Sequence, residues 1–182
     1  VEAVSNAGIR KINGSIIADE SRFDNEGHNA KWTWDDIGNY YAPGIYALAY
    51  LDNTLRITFK SGAAGTTPEI TDISPNIPEL EIENNLRSTK ITIDSAFFYG
   101  APKSMKRFVR GEIPSNKAAF IVKAELPNPG LKLAQDFHQQ LRLKGIEITQ
   151  AATSVPENNL VSLPASNKNQ RIKIYSHLSV PL

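Results

Sequence analysis

Residues 130–150, which read GLKLAQDFHQQLRLKGIEITQ, indicate the fold more directly than any other stretch of the chain. Apolar residues in the first two thirds recur at helical spacing, which predicts an amphipathic helix. The inward stripe of this helix is predicted to consist of Leu131, Ala134, Phe137, His138 and Leu141. Gly145 is typical of the residue that ends a helix, and the IEIT segment after it predicts a short strand.

The same order of elements is predicted at the start of the chain, where residues 1–20 read VEAVSNAGIRKINGSIIADE. A helix is predicted to end at Gly8, and the β-branched residues Ile16 and Ile17 favour a strand. Helix, glycine, isoleucine and strand therefore follow one another on both sides of a middle section that has a different pattern.

The middle section consists of short alternating segments separated by proline, glycine and asparagine, a pattern that predicts β-strands. Two of these segments, YALAYL and TLRITFKSG, predict a hairpin with Asp52 and Asn53 at its turn. The last segment of the chain that alternates, RIKIYSHL at 171–178, predicts one more strand.

Together these patterns predict an α+β or α/β fold, in which a small α/β platform of helix–Gly–strand units is interrupted by an inserted all-β domain. The platform is predicted to be discontinuous and to comprise residues 1–45 and 127–182. The inserted β domain is predicted to span residues 46–126.

The composition excludes several classes of protein. The chain has 182 residues, enough to bury a core, and a net charge of +1 from 20 basic and 19 acidic residues, so we expect no nucleic-acid partner. Without cysteine it forms no disulfides or thiolate zinc sites. No apolar run approaches the ~18 residues of a membrane span. The chain begins inside a predicted helix and ends just after a predicted strand, so we expect a piece of a longer protein.

Residues 31–48, KWTWDDIGNYYAPGIYAL, combine both tryptophans of the chain with two acids and several tyrosines. Such a cluster is compatible with a catalytic acid pair, a sugar-binding platform, a pocket for a cation, or core packing. Asp35 and Asp36 are adjacent and would point to opposite faces of a strand, which argues against a paired acid and base. Packing in the core or at an interface is expected for several of the rings of Trp32, Trp34, Tyr40 and Tyr41.

Other chemical motifs are absent or incomplete. The three histidines, His28, His138 and His177, show no metal-ligand spacing, and we predict neither a metal nor a cofactor. Lys60–Gly62 and Ser74–Asn76 resemble the KTG and SxN motifs of penicillin-recognising serine enzymes, but they occur in the wrong order and SxxK is missing. These two segments are interpreted as a strand end and a turn, and no catalytic residue is predicted.

An ordered series of short motifs resembles the D-alanyl-D-alanine carboxypeptidase/endopeptidase family, the class C penicillin-binding proteins of the penicillin-binding protein 4 type. The residues that carry the resemblance are Gly8-Ile9, Gly14, Asp19, Ser21, Phe23, Trp32, Trp34, Asp36, Tyr40, Ala42-Pro43 and Ala47-Leu48. RGEIPSN, helix–GIEIT and the closing HLSVPL extend it over essentially the whole chain.

The resemblance implies a role without catalysis. In that family SxxK precedes and SxN and KTG follow a long insertion, made of one domain nested in another, and this chain is similar to that insertion. Its implied partners are the catalytic domain of the same parent chain and the peptidoglycan stem peptide, and its implied location is periplasmic or otherwise extracytoplasmic. In the family, the positions of Asp36 and Tyr41 line a pocket for the amine-bearing side chain of the stem peptide.

Two other functions are compatible with the same residues. The first is a free-standing module that binds cell-wall glycan or peptide, with Trp32 and Trp34 as a stacking platform. The second is a small enzyme that uses Asp35 or Asp36.

Overall fold

The computed structural model describes residues 1–24, 26–155 and 172–177. In chain order its elements are helix α1 (Glu2–Asn6), strands β1 (Lys11–Ile12) and β2 (Ile17–Asp19), a 3₁₀ turn (Leu51–Asn53), strands β3 (Thr54–Lys60), β4 (Glu69–Ser74), β5 (Glu81–Thr89), β6 (Phe97–Tyr99), β7 (Lys106–Pro114) and β8 (Phe120–Glu125), helix α2 (Pro129–Leu143), and strands β9 (Glu147–Ile148) and β10 (Thr153–Val155). They belong to two compact units, residues 1–25 with 130–182 and residues 26–129.

The first unit is built from both ends of the chain. β1 pairs with β9 and β2 pairs with β10, and both pairs are parallel. Helix α1 precedes β1, and helix α2 precedes β9. Each helix ends near a glycine with positive φ, Gly8 at +77° and Gly145 at +79°, a conformation that glycine adopts without a steric penalty. The predicted helix–glycine–strand units are confirmed at both flanks, and with them the mixed fold class.

The second unit contains two three-stranded sheets, with strand orders β4–β3–β8 and β5–β7–β6. β3 is antiparallel to both of its neighbours, whereas β7 is parallel to β5 and antiparallel to β6. Because strand side chains alternate between faces, every second residue enters a common core. Its buried members are Leu55, Ile57, Phe59, Ile77, Leu86, Phe98, Val109, Ile113, Val122, Ala124 and Leu126.

The predicted hairpin around Asp52 and Asn53 is wrong. Residues 46–50 form no strand, and both edges of β3 are already paired, one with β4 and the other with β8. The Asn53 side chain accepts a hydrogen bond from the Tyr50 N–H at 3.1 Å and donates one to the Gly44 carbonyl at 3.1 Å. These bonds hold the chain in a 3₁₀ turn just where the hairpin would have needed a second strand.

The predicted strand RIKIYSHL is also wrong in its described part, since residues 172–177 form no strand. Residues 171 and 178 lie outside the described residues. Alternation alone predicted this strand, and the six described residues are all exposed, so no buried face stabilises an extended pairing there.

The compact units place residues 26–45 together with the two larger sheets. A compact unit is defined by proximity, however, whereas a domain is a part that can fold alone. The division into residues 1–45 with 127–182 and residues 46–126 therefore stays a prediction. Among the residues that the structure describes, no helix is long and apolar enough to cross a membrane.

Two neighbours on β6 provide a test of the core. Phe98 is fully buried in the core, whereas Phe97 points the other way and is half-buried. We expect Phe98→Ala to lower the free energy of unfolding by about 3–5 kcal/mol, because it removes a fully buried ring and leaves a cavity. Phe97→Ala should cost clearly less in the same urea titration. Equal losses for the two variants would contradict the assignment of faces on β6.

Candidate functional site

The acidic and aromatic side chains singled out in the sequence lie on a loop, residues 26–46, whose centre is fixed to β8 and β6. The Gly38 carbonyl accepts a hydrogen bond from the Glu125 N–H at 2.8 Å, and Asn39 forms an isolated β-bridge with Ala124. The buried Asn39 side chain accepts a hydrogen bond from the Phe98 N–H at 2.9 Å. The loop is therefore held in one place by backbone groups of two different sheets.

Gly38 permits the close approach of this loop to β6. Its φ is +113°, and a Cβ atom at this position would lie 2.8 Å from the Cα of Tyr99. Any other residue would be strained by its backbone conformation and would also clash with the strand. The position therefore requires glycine.

Asp35 and Asp36 lie in consecutive tight turns, so the expectation that they would lie on a strand is wrong. The Asp36 N–H donates to the Thr33 carbonyl at 3.0 Å, and the Asn39 N–H donates to the Asp36 carbonyl at 3.1 Å. Among the described residues of the loop, Asn39 alone forms a β-bridge with a strand.

The turns bring the two predicted binding residues together. Asp36 Oδ1 accepts a hydrogen bond from the Tyr41 hydroxyl at 3.3 Å, and Asp36 Oδ2 accepts one from Thr33 Oγ1 at 3.0 Å. Asp36 is half-buried, whereas Tyr41 is 59% exposed. Asp36 and Tyr41 are therefore in direct contact at the surface of the loop. Their role in binding a substrate stays a prediction.

The environment of Tyr41 favours the neutral phenol. Partial burial raises its pKa above the ordinary value of 10.0, and the negative charge of Asp36, together with the hydrogen bond to Asp36, raises the pKa further. Asp35 and Tyr40 contribute in the same direction to a smaller extent. At neutral pH the phenol is therefore a hydrogen-bond donor beside a carboxylate.

Three of the four rings do not pack in the core, and packing at an interface stays a prediction for them. Trp34, Tyr40 and Tyr41 are each at least half exposed, and Trp32 is half-buried. The Trp34 ring meets the Tyr99 ring edge to face at a centroid distance of 6.4 Å, and Tyr40 and Tyr41 meet in the same way at 5.5 Å. Trp34, Tyr40 and Tyr41 thus give the loop an exposed aromatic surface, because the loop lies outside the two sheets.

A buried polar cluster, which the sequence did not indicate, lies under this loop. At its centre is the fully buried Glu125 carboxylate, whose Oε2 accepts a hydrogen bond from Arg107 Nη2 at 3.2 Å. Its Oε1 accepts bonds from the Gly44 N–H at 3.0 Å and the Tyr46 hydroxyl at 3.3 Å. His28 Nε2 lies 2.7 Å from the same oxygen, without the alignment of a hydrogen bond. Four groups from two parts of the unit, the loop and β7, thus converge on one carboxylate.

Arg107 is almost completely buried as well, with 1% exposure. Burial lowers the pKa of its guanidinium, and the charge of Glu125 opposes that effect. Its Nη1 also donates to the carbonyls of Ala101 and Ser104, at 2.9 and 2.6 Å. The sequence does indicate that Arg107 is buried, because it lies two residues before the inward-facing Val109 on β7 and so points to the same face of the strand. No such signal existed for Glu125, because strict alternation along β8 would place it outward.

Two other residues named in the sequence motifs have defined surroundings in the structure. Ser61, in the KTG-like segment, is buried, and its hydroxyl donates to the Pro114 carbonyl at 2.6 Å and accepts from the Lys117 N–H at 2.9 Å. His138 is half-buried on α2, as predicted. Among the described residues, no group of histidine, aspartate and glutamate side chains could hold a metal ion.

Solved structures share this arrangement of elements. Penicillin binding protein 4 from Haemophilus influenzae matches with a TM-score of 0.66 and 18% identity, over 86% of this chain and 34% of that chain. A second structure of that protein, complexed with a β-lactam, matches with a TM-score of 0.52 and 14% identity, over 85% and 32%. The chain therefore has a fold found in penicillin-binding proteins, and it spans about a third of the length of the two solved chains.

The sequence gives the family itself. Residues 1–169 match the profile of the D-Ala-D-Ala carboxypeptidase 3 (S13) family. This chain belongs to that family, and the resemblance seen in its motifs is confirmed. A sequence comparison with curated proteins gives no match.

The raised pKa of Tyr41 predicts a loss of stability at alkaline pH. A folded pKa above the unfolded value of about 10 means that the phenol contributes stability below about pH 10 and loses it as the pH rises through the folded pKa. We expect the free energy of unfolding, measured by urea titration, to fall less steeply above about pH 10 in Tyr41→Phe than in the unmodified chain. Parallel pH profiles for the two proteins would show that the pKa of Tyr41 is not raised in the folded chain.

Proposed function

We propose that this chain is the inserted, non-catalytic region of a serine-type D-Ala-D-Ala carboxypeptidase or endopeptidase that acts on peptidoglycan outside the cytoplasm. The match of residues 1–169 to the family carries this proposal. The 182 residues contain no SxxK serine, and the buried Ser61 hydroxyl is already bonded on both sides. We therefore assign acylation and hydrolysis to the catalytic domain of the parent chain, and scaffolding of that domain to this region.

The second part of the proposal is a binding role for Asp36 and Tyr41. Each carboxylate oxygen of Asp36 accepts one hydrogen bond from within the loop, and a carboxylate oxygen can accept more than one. An ammonium group can therefore approach Asp36 from solvent, while its methylene chain packs on the exposed Tyr41 ring. The side chain of lysine or diaminopimelate at the third position of the stem peptide has this chemistry.

The exposure of the pair sets a condition on this role. An ion pair in solvent contributes only about 0–1 kcal/mol, too little to select one side chain over another. Selection requires a site that is partly closed from water, where a hydrogen bond to a charged group contributes about 1.5–3 kcal/mol. We propose that the catalytic domain of the parent chain completes this closure.

The proposal is tested in the parent enzyme with two peptides that end in D-Ala-D-Ala. One carries lysine or diaminopimelate at the third position, and the other carries norleucine, which retains the methylene chain without the amine. We expect Asp36→Asn to lower kcat/KM by about 10- to 100-fold for the amine-bearing peptide, and to leave the norleucine peptide nearly unchanged.

The neighbouring acid provides the matched control. Asp35→Asn removes the same charge one residue away, from an exposed side chain without a described bond to Tyr41, and should have a much smaller effect. Equal losses for both peptides in Asp36→Asn would mean that Asp36 supports the structure and does not recognise the amine.

A second candidate function is favoured by the aromatic surface. Trp34 is 53% exposed, and its ring touches that of Tyr99, which is an arrangement on which a sugar ring can stack. A glycan-binding module would bind uncrosslinked glycan without peptide in isothermal titration. Trp34→Ala would abolish that binding and Asp36→Asn would not, whereas the amine site predicts the opposite dependence with muropeptides.

A further inference from the structure

The fully buried Glu125 lies beneath the loop that carries Asp36 and Tyr41. Its carboxylate is the point where residues from the loop and from β7 meet. A buried charge is tolerated only when charge pairing and hydrogen bonds replace the water that it loses, so the surrounding groups are constrained to keep their positions.

The far end of the loop is fixed by this carboxylate on one side and by an amide on the other. The Gly44 N–H donates to Glu125 Oε1 at 3.0 Å, and the Gly44 carbonyl accepts from Asn53 Nδ2 at 3.1 Å. A Cβ atom on Gly44 would lie 2.5 Å from the Tyr46 hydroxyl oxygen, so the backbone and the Tyr46 side chain are packed in direct contact. Both peptide groups of this turn are therefore held by side chains of the interior.

The centre of the loop is fixed by the backbone of the same residue, Glu125. The Glu125 N–H donates to the Gly38 carbonyl at 2.8 Å, next to the Asn39 bridge with Ala124. Asn39 Nδ2 in turn donates to the Asp35 carbonyl at 2.6 Å. Asp36 and Tyr41 thus flank the first attachment point and precede the second, within a segment of eleven residues, 36–46.

We infer that Glu125 is a positioning residue for the Asp36–Tyr41 pair: its backbone and its carboxylate fix the two ends of the loop segment 36–46, and Arg107 provides the charge that keeps the carboxylate buried. Glu125 itself touches neither Asp36 nor Tyr41 in any described contact. It acts through the positions of Gly38, Gly44 and Tyr46. The contact between the two surface residues spans 3.3 Å and depends on the path of the chain between them.

The inference about position stands on this geometry alone, and only its consequence for substrate rests on the proposed function. If Asp36 and Tyr41 bind the amine of a stem peptide, Glu125 sets the width of that site without taking part in it. The test therefore reads out the contact between Asp36 and Tyr41 directly, with no substrate present.

The experiment measures the pKa of the Tyr41 phenol by NMR in the chain labelled with ¹³Cζ-tyrosine, with the Tyr41 signal assigned by its loss in Tyr41→Phe. Asp36→Asn defines the decrease in the pKa that follows when the contact is lost. In folded Glu125→Gln we expect about half or more of that decrease, because the carboxylate of Asp36 no longer stays beside the phenol. An unchanged Tyr41 pKa in folded Glu125→Gln would overturn the inference.

Two further variants keep the result decisive. If Glu125→Gln does not fold, Tyr46→Phe removes one donor to the carboxylate and retains the ring, and a decrease in the Tyr41 pKa in this variant supports the inference whereas no change overturns it. Ser61→Ala is the matched control, since it removes a buried hydrogen-bonding side chain of the same unit that has no described contact with the loop. A decrease in Ser61→Ala as large as in Glu125→Gln would show that the pKa reports general destabilisation, and would also overturn the inference.

The same variants separate the inference from the proposed function. Loss of the Tyr41 pKa shift in Glu125→Gln, combined with unchanged turnover of the amine-bearing peptide by the parent enzyme carrying Asp36→Asn, would support the positioning role and refute amine binding. The reverse combination would refute the positioning role alone.

Discussion

The fully buried ion pair of Glu125 and Arg107 is the interaction on which the second unit depends. Removing a carboxylate and a guanidinium from water costs several kcal/mol for each group, and their attraction offsets that cost only when the remaining donors and acceptors are also bonded. Here Arg107 reaches two backbone carbonyls in addition to Glu125, and Glu125 accepts bonds from Gly44 and Tyr46. Since Arg107 lies on β7 and Glu125 on β8, the pair joins one three-stranded sheet to the other.

A pair of apolar residues could fill the same volume and would often be at least as stable. It could not, however, offer an acceptor to the Gly44 N–H or to the Tyr46 hydroxyl, and the loop would lose its defined path. The ion pair therefore specifies the conformation of the loop more than it adds to stability. This distinction explains how a buried charged residue at the end of a strand can determine the path of an exposed loop.

Much of the first unit could be predicted from the sequence because its signals are local. Helical spacing, the glycine at the end of each helix and the β-branched residues after them specify α1, α2, β2 and β9, and both glycines have the positive φ that their position requires. Family motifs also brought Asp36 and Tyr41 to notice, and a spacing of five residues across tight turns does place them in contact. These features depend on residues that are close in sequence, so local sequence patterns are sufficient to predict them.

The features that could not be predicted depend on distant neighbours. The hairpin around Asp52 failed because β3 takes its partners from residues 69–74 and 120–125, and alternation does not say which strands pair. The exposure of Trp34, Tyr40 and Tyr41 follows from the position of their loop outside the sheets, although large rings are usually expected inside. The burial of Glu125 could not be predicted because it depends on Arg107, 18 residues earlier, and on loop residues more than 75 residues earlier.

The two parallel strand pairs of the first unit have a consequence for the length of the chain between them. Lys11 and Glu147, which face each other across β1 and β9, are 136 residues apart in sequence. The entropy lost on closing so long a loop grows only logarithmically, and doubling the loop adds about 0.6 kcal/mol. Insertions or deletions between β1 and β9 therefore change the entropy of closing the loop very little. The intervening region can change in length while β1 and β9 keep their pairing.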